Sequence, residues 1–164
     1  MFYNSKKMSE YADEIFMKEA LNEAKKGFAA NEVPVGAVLV YRQEIIARAH
    51  NRIEELCDAS AHAEMLCIRE GSKILQNWRL SESILYCTLE PCCMCAGAML
   101  LSRINTLVWG AKDIRHGANG SFTNIFSLPH PTHQIIIRQG VLAEESSLLM
   151  KEFFKIRRKS GAII

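Results

Sequence analysis

The sequence predicts an α/β domain in which one mixed sheet is covered by helices on both faces. Three observations lead there. The 164 residues suit a single domain, residues 1–164, and 49% are hydrophobic, enough for a full core. Two adjacent apolar, β-branched runs open the sheet. After them, helical and strand periodicities alternate towards the C-terminus.

The elements follow in order. Met8 to Lys26 reads as an amphipathic helix, with Ala12, Ile15, Phe16, Ala20 and Ala24 on one face and Gly27 to end it. Residues 1–7 before it are expected as a flexible extension. Val35–Tyr41 and Glu44–Ala49 are predicted to pair as a hairpin across Arg42–Gln43. Ala61–Leu75 reads as a helix, with Asp58 or Ser60 placed to cap it. Ile84–Leu89 is a strand. Cys92–Ser102 is a helix with Pro91 in its first turn, where proline is tolerated. Thr106–Trp109 is a strand, followed by a Gly-, Asn- and Pro-rich loop from Gly110 to His133. Gln134–Arg138 is a short strand. Val141–Lys159 is a terminal helix predicted to bury Leu148, Leu149, Phe153 and Ile156.

Bulk properties narrow the function. The net charge of +2 argues against a generally basic nucleic-acid coat but allows a local basic face. The longest apolar run, near Val33–Tyr41, contains Pro34 and Gly36 and is far short of the ~18–20 residues that span a membrane. Lys6 and Lys7 are not followed by an apolar run, so Met1–Glu10 does not read as a signal peptide, and a cytoplasmic protein is expected. Six cysteines are present, three of them crowded into Cys92, Cys93 and Cys95. Without a secretion signal this clustering points to metal binding or redox chemistry rather than disulfides.

Chemistry concentrates in two short segments. His62-Ala63-Glu64 opens one predicted helix, and Pro91-Cys92-Cys93-Met94-Cys95 opens another, with 26 residues between Glu64 and Pro91. Cys92 and Cys95 are three apart, so a helix turns both thiols to one side. A helix N-terminus favours the thiolate that a metal needs. His62 adds a neutral imidazole. Three protein ligands leave tetrahedral zinc a fourth position for water, the mark of a catalytic site, and zinc brings that water's pKa towards ~7. Glu64 is close enough to take the water's proton without being a ligand. Attack on an amino-bearing ring carbon followed by loss of ammonia is deamination, and this pair of motifs is the signature of the zinc deaminases of nucleobases.

Each piece also has a plainer reading. A lone Cys-x-x-Cys is often structural zinc or a thiol pair, and a lone His-x-Glu carries little weight. It is their combination at two helix starts that is specific. Cys93 points about 100° from its neighbours on a helix and reads as a buried free thiol, although a third Cys ligand stays open. Cys57, Cys67 and Cys87 are expected to pack in the core.

Beyond these motifs, several segments extend the pattern: Glu32-Val33-Pro34-Val35-Gly36-Ala37-Val38, Asn51-Arg52, Thr88-Leu89-Glu90-Pro91-Cys92, Ser102-Arg103-Ile104, Gly110-Ala111-Lys112-Asp113, Gly117-Ala118-Asn119-Gly120-Ser121 and Phe153-Phe154-Lys155-Ile156-Arg157-Arg158. With them, from about Tyr11 to Arg158, the chain resembles the bacterial tRNA-specific adenosine deaminases of the cytidine-deaminase superfamily. The resemblance implies a three-layer α/β/α fold, one zinc ion per subunit, a homodimer, and conversion of adenosine to inosine at the wobble position of an arginine tRNA. The anticodon base would be splayed out of its stack into the zinc pocket. It implies His62, Cys92 and Cys95 as ligands and Glu64 as proton shuttle. It further implies Asn51 as an amide bonded to the flipped nucleoside, Val33, Pro34, Val35 and Ala63 around the base, and Asp113 at the neighbouring sugar. Phe154, facing away from the stripe that Phe153 joins, would stack on a base, with Phe153, Arg157 and Arg158 completing the RNA-binding end of the helix.

The chain departs from the family at Asp58-Ala59-Ser60, where Asp-Pro-Thr is common, and at Cys93, where an apolar residue is usual. Two other functions compete. A deaminase of free guanine or cytosine, or of their nucleosides, would share every zinc residue but would not need Phe154 or Arg157–Arg158 exposed. A non-catalytic zinc module that binds RNA would not need Glu64. A redox Cys-x-x-Cys protein would leave His62 and Glu64 unexplained.

Overall fold

The computed structural model describes residues 2–160, with side chains from residue 10 onward. It has five helices, a short 3-10 turn and five strands in the order α1 (Phe2–Ala29), β1 (Gly36–Tyr41), β2 (Glu44–His50), α2 (Ile53–Leu56), α3 (Ala63–Ile74), β3 (Ser83–Leu89), α4 (Cys93–Leu101), β4 (Thr106–Ala111), β5 (Ile136–Gln139) and α5 (Ala143–Lys159). The 3-10 turn, Ile125–Ser127, lies in the long loop between β4 and β5. The strands form one mixed sheet in the order β2-β1-β3-β4-β5. The hairpin β1–β2 is antiparallel, β1 is antiparallel to β3, and β3, β4 and β5 run parallel.

Side chains on a strand alternate between faces, and the two cores divide accordingly. Val38, Val40, Tyr86 and Val108 pack with Met17 and Ala20 of α1. Ala37, Leu39, Leu85, Cys87, Leu107 and Trp109 point the other way, onto Ala63 and Cys67 of α3 and Cys95 and Met99 of α4. The result is the expected three-layer α/β/α arrangement. Gly36 lets α1 lie close on the sheet: a Cβ there would collide with the Ala20 carbonyl and the Ala24 amide. The hairpin turn is tight, with Arg42 (φ 49°) and Gln43 (φ 68°) both left-handed, as a two-residue turn matched to strand twist requires.

Several expectations are corrected. The first helix begins at Phe2 rather than Met8, so residues 2–7, expected as an extension, form its first turns. Its buried face is turned towards Asp13, Met17, Ala20 and Ala24, and Ile15 is exposed. The reason is a polar anchor: buried Asp13 accepts hydrogen bonds from Tyr86 Oη (2.9 Å) and from Arg138 (2.7 and 2.8 Å). Asp58 does not cap α3. It accepts from the N–H and hydroxyl of Ser60 in a local turn, and His62 is the N-cap. On α5, Phe153 is buried, but Leu148 and Ile156 are 66% and 51% exposed, because the helix leans on the domain through Ser146 and Phe153. Cys67 and Cys87 are buried as expected, whereas Cys57 is exposed at the left-handed end of α2.

Candidate active site

The N-termini of α3 and α4 meet above the sheet, at the ends where β3 and β4 finish. His62 is the N-cap of α3 and Cys92 the N-cap of α4, and neither side chain is spent on capping. Cys95 lies in the first turn of α4. Both helix dipoles therefore direct their positive ends to one point, where thiolates are favoured.

His62 Nδ1 is 3.7 Å from Cys92 Sγ and 3.6 Å from Cys95 Sγ, and the three donor atoms all lie within 4.8 Å of one another. Tetrahedral zinc, bonded at about 2.0–2.1 Å to nitrogen and 2.3 Å to sulfur, sets an N···S separation of about 3.5 Å. The donor set fits that ion in type and spacing. Protonation agrees. The Cys92 thiol is lowered to about 3, first by a hydrogen bond with Cys95 and then, against the cost of burial, by one with His62. Cys95 is pushed up, first by sharing that bond with Cys92 and then by burial. A divalent cation between the sulfurs would relieve this competition for a proton. Cys93, expected to be buried, is exposed and lies outside the group, because it turns away from Cys92 and Cys95 on the first turn of α4.

Glu64 follows in the first turn of α3. It is 3% exposed, and its Oε2 is buried with no hydrogen-bond partner among the described residues. Burial is the first cause that raises its carboxyl above the usual range, so the group can hold a proton as well as accept one.

His62, Glu64 and Cys92 form the floor of a cleft of about 810 Å³, with Cys95 buried just behind them. Of the residues expected around the substrate, Val33, Val35, Asn51, Asp113, Phe154 and Arg158 line it. The other four do not. Pro34 is buried beneath the wall, and Ala63 is buried with its N–H donated to Asn51 Oδ1 at 2.9 Å. Phe153 packs edge-on against Phe28 (centroids 5.6 Å apart) and Phe154 (5.5 Å), so it supports the lining ring from below. The Arg157 guanidinium stacks over the Phe153 ring, 5.8 Å from its centroid, and its Nε is buried. Asn51, whose oxygen is taken by Ala63, has its amide NH₂ left to offer. Asp113 Oδ1 accepts from the N–H groups of Arg115 (2.9 Å) and His116 (3.2 Å), so that oxygen already shapes its own turn.

Sequence reasoning missed Lys112, Arg115, His116, Ser147, Met150 and Lys151, which also line the cleft. Those on α5 carried a signal. Ser147, Met150, Lys151, Phe154 and Arg158 recur at helical spacing, one stripe beside the buried Phe153. Lys112, Arg115, Lys151 and Arg158 make a basic rim that the small net charge concealed.

Residues 10–111 match the family model of the cytidine and deoxycytidylate deaminase zinc-binding region. The chain is 50% identical to the tRNA-specific adenosine deaminase of Bacillus subtilis, over 90% of this chain and 91% of that one. It is 53% identical to the chloroplastic tRNA(adenine(34)) deaminase of Arabidopsis thaliana over 88% of its own length, while spanning only 12% of that much longer relative. A solved structure from work on A-to-I editing by tRNA:A34 deaminases at the wobble position of transfer RNA superposes with a TM-score of 0.79. Its identity is 43%, with 82% of this chain and 97% of that one covered.

Proposed function

The chain belongs to the cytidine and deoxycytidylate deaminase family and, within it, to the tRNA-specific adenosine deaminases, and we propose that its cleft works as one deaminase domain with a zinc ion held by His62, Cys92 and Cys95. The reaction is hydrolytic deamination of adenosine to inosine at the wobble position of tRNA. The observation that carries this reading is the pairing of a zinc-spaced donor set with the unpartnered buried oxygen of Glu64 on one cleft floor.

When bound, zinc supplies Lewis-acid activation of water at neutral pH. Glu64 takes the water's first proton and delivers it to the ring nitrogen beside the reacting carbon, then takes the second from the new C–OH group and delivers it to the departing amine, so that a C–O bond replaces C–N and ammonia leaves. Asn51 donates its amide to the flipped nucleoside, and Val33 and Val35 wall the base. Phe154 offers a stacking surface already braced by Phe153, while Arg158 and the basic rim face the phosphates of the anticodon stem-loop. Asp113 stands at the neighbouring sugar.

We further infer an arginine tRNA as substrate, a cytoplasmic site of action and a homodimer. Among the described residues no helix is long and apolar enough to cross a membrane. Exposed Met94 and Leu101 on α4, and Leu128 beside the 3-10 turn that packs on α4, present apolar surface that a second copy would cover. Sedimentation of the purified chain tests the dimer.

The central test is inosine formation on an arginine tRNA transcript carrying wobble adenosine, with free adenosine, cytidine and guanine in parallel. Inosine in the tRNA alone is expected. Turnover of a free base with the tRNA untouched would keep the zinc chemistry and overturn the substrate. Zinc and RNA binding with no turnover would leave a binding module.

A further inference from the structure

Glu90 precedes the zinc-binding helix, is 2% exposed, and has no part in the proton transfers described above. Its carboxylate accepts four hydrogen bonds from one loop. Oε2 receives the N–H of Asp113 (3.2 Å) and the hydroxyl of Ser121, and Oε1 receives the N–H groups of Asn119 (2.9 Å) and Ser121 (3.1 Å). Four donors match the lone-pair sites of one carboxylate. The backbone repeats the attachment: Glu90 N–H donates to the Ala111 carbonyl, Ala118 N–H to the Pro91 carbonyl, and Cys92 bridges Gly117. Gly117 lies against the carboxylate so closely that a Cβ would collide with it. The loop so held carries Lys112, Asp113, Arg115 and His116 into the cleft.

We propose that Glu90 is a positioning residue for substrate recognition: it sets the RNA-facing loop 112–121 at a fixed distance from the metal ligands, and so governs how tightly the nucleotides flanking the flipped base are gripped. The inference rests on the tRNA reading above. Glu90's carboxylate acts on recognition through the loop, whereas His62 and Glu64 stand at the start of α3 and Cys92 meets the loop only through its backbone bridge to Gly117. Its loss therefore weakens RNA capture more than the chemical step.

The test is single-turnover inosine formation across a titration of an anticodon stem-loop RNA, with zinc content measured on the same samples. Glu90→Gln keeps the size but turns an NH₂ towards donors. It is expected to raise the half-saturating RNA concentration about tenfold or more, the order that loss of hydrogen bonds to a charged group implies. Zinc content stays at the wild-type level, and the saturating rate falls by less. Ser121→Ala, which removes one donor from the same carboxylate, shifts half-saturation in the same direction by a smaller factor. A merely structural role would lower the active fraction, and with it the saturating rate, at unchanged half-saturation, and that result overturns the proposal. So does a rise in half-saturation that tracks lost zinc. If Glu90→Gln does not fold, unchanged half-saturation in Ser121→Ala overturns it alone. Wild-type protein separates the two levels. If it makes no inosine, the substrate reading fails and the inference falls with it; if it does and the variants match it, only the inference fails.

Discussion

Replacing Glu64 with glutamine isolates the proton shuttle, and the structure allows its size to be worked out. The change keeps the side-chain volume in a site that is 3% exposed, so no cavity forms. It breaks no hydrogen bond of Oε2, which has none among the described residues. The metal donors are His62, Cys92 and Cys95, so zinc content should stay at one per chain. What disappears is a group that moves two protons in sequence, to the ring nitrogen and to the amine. General acid–base catalysis by a placed side chain contributes about 10²–10⁴-fold. At 1.36 kcal/mol per tenfold, that is about 3–5 kcal/mol of barrier. The assay is single-turnover inosine formation at saturating stem-loop RNA, with zinc measured on the same protein. A Glu64→Gln rate within tenfold of wild type, with zinc retained, would refute the role of Glu64. A loss in proportion to missing zinc would refute the claim that the carboxylate is separate from the metal site.

Other expectations are as direct. Cys92→Ala or Cys95→Ala should release zinc and abolish turnover, as should a strong chelator; elemental analysis checks this, and normal zinc content would remove the thiol from the ligand set. Asn51→Ala leaves the buried Ala63 N–H unpaired and should cost about 1–3 kcal/mol of stability. Asn51→Asp keeps that acceptor and should keep the stability while losing RNA affinity; denaturant titration beside RNA binding separates the two roles. Phe153→Ala empties a buried site shared with Phe28 and should destabilise by about 3–5 kcal/mol. Phe154→Ala should weaken RNA binding by about 1–3 kcal/mol, the range of one base–aromatic stack, and a gel-shift titration that shows no change would take Phe154 out of the interface.

Much of the fold was legible because each element declares itself locally. Short continuous apolar runs, Val35–Tyr41 and Ile84–Leu89, marked strands, and the pairing of the hairpin followed from a two-residue connection. The zinc site was legible for the same reason. Cys92 and Cys95 are one helical turn apart, and His62 and Glu64 are two residues apart, so their chemistry shows in short windows. The rotation of α5 was not legible, since Leu148 and Ile156 share an apolar pattern with Phe153 and yet face solvent. A helix with several apolar stripes can lean on any of them, and α1 and the sheet select Phe153.

By itself the sequence determined most of the helices and strands, the candidate residues for zinc and proton chemistry, and the family to which the chain belongs. These depend on side-chain type and on spacing within a turn or two, which the chain states directly. Only the tertiary structure decided that Asp13 would meet Arg138 across 125 residues, that Glu90 would collect donors from 23 to 31 positions away, and that Asn51 would spend its oxygen on Ala63. Those pairings form between segments whose separation along the chain leaves no period to read. They are set by where the sheet and helices bring buried polar groups together, each of which must find a partner once water is excluded.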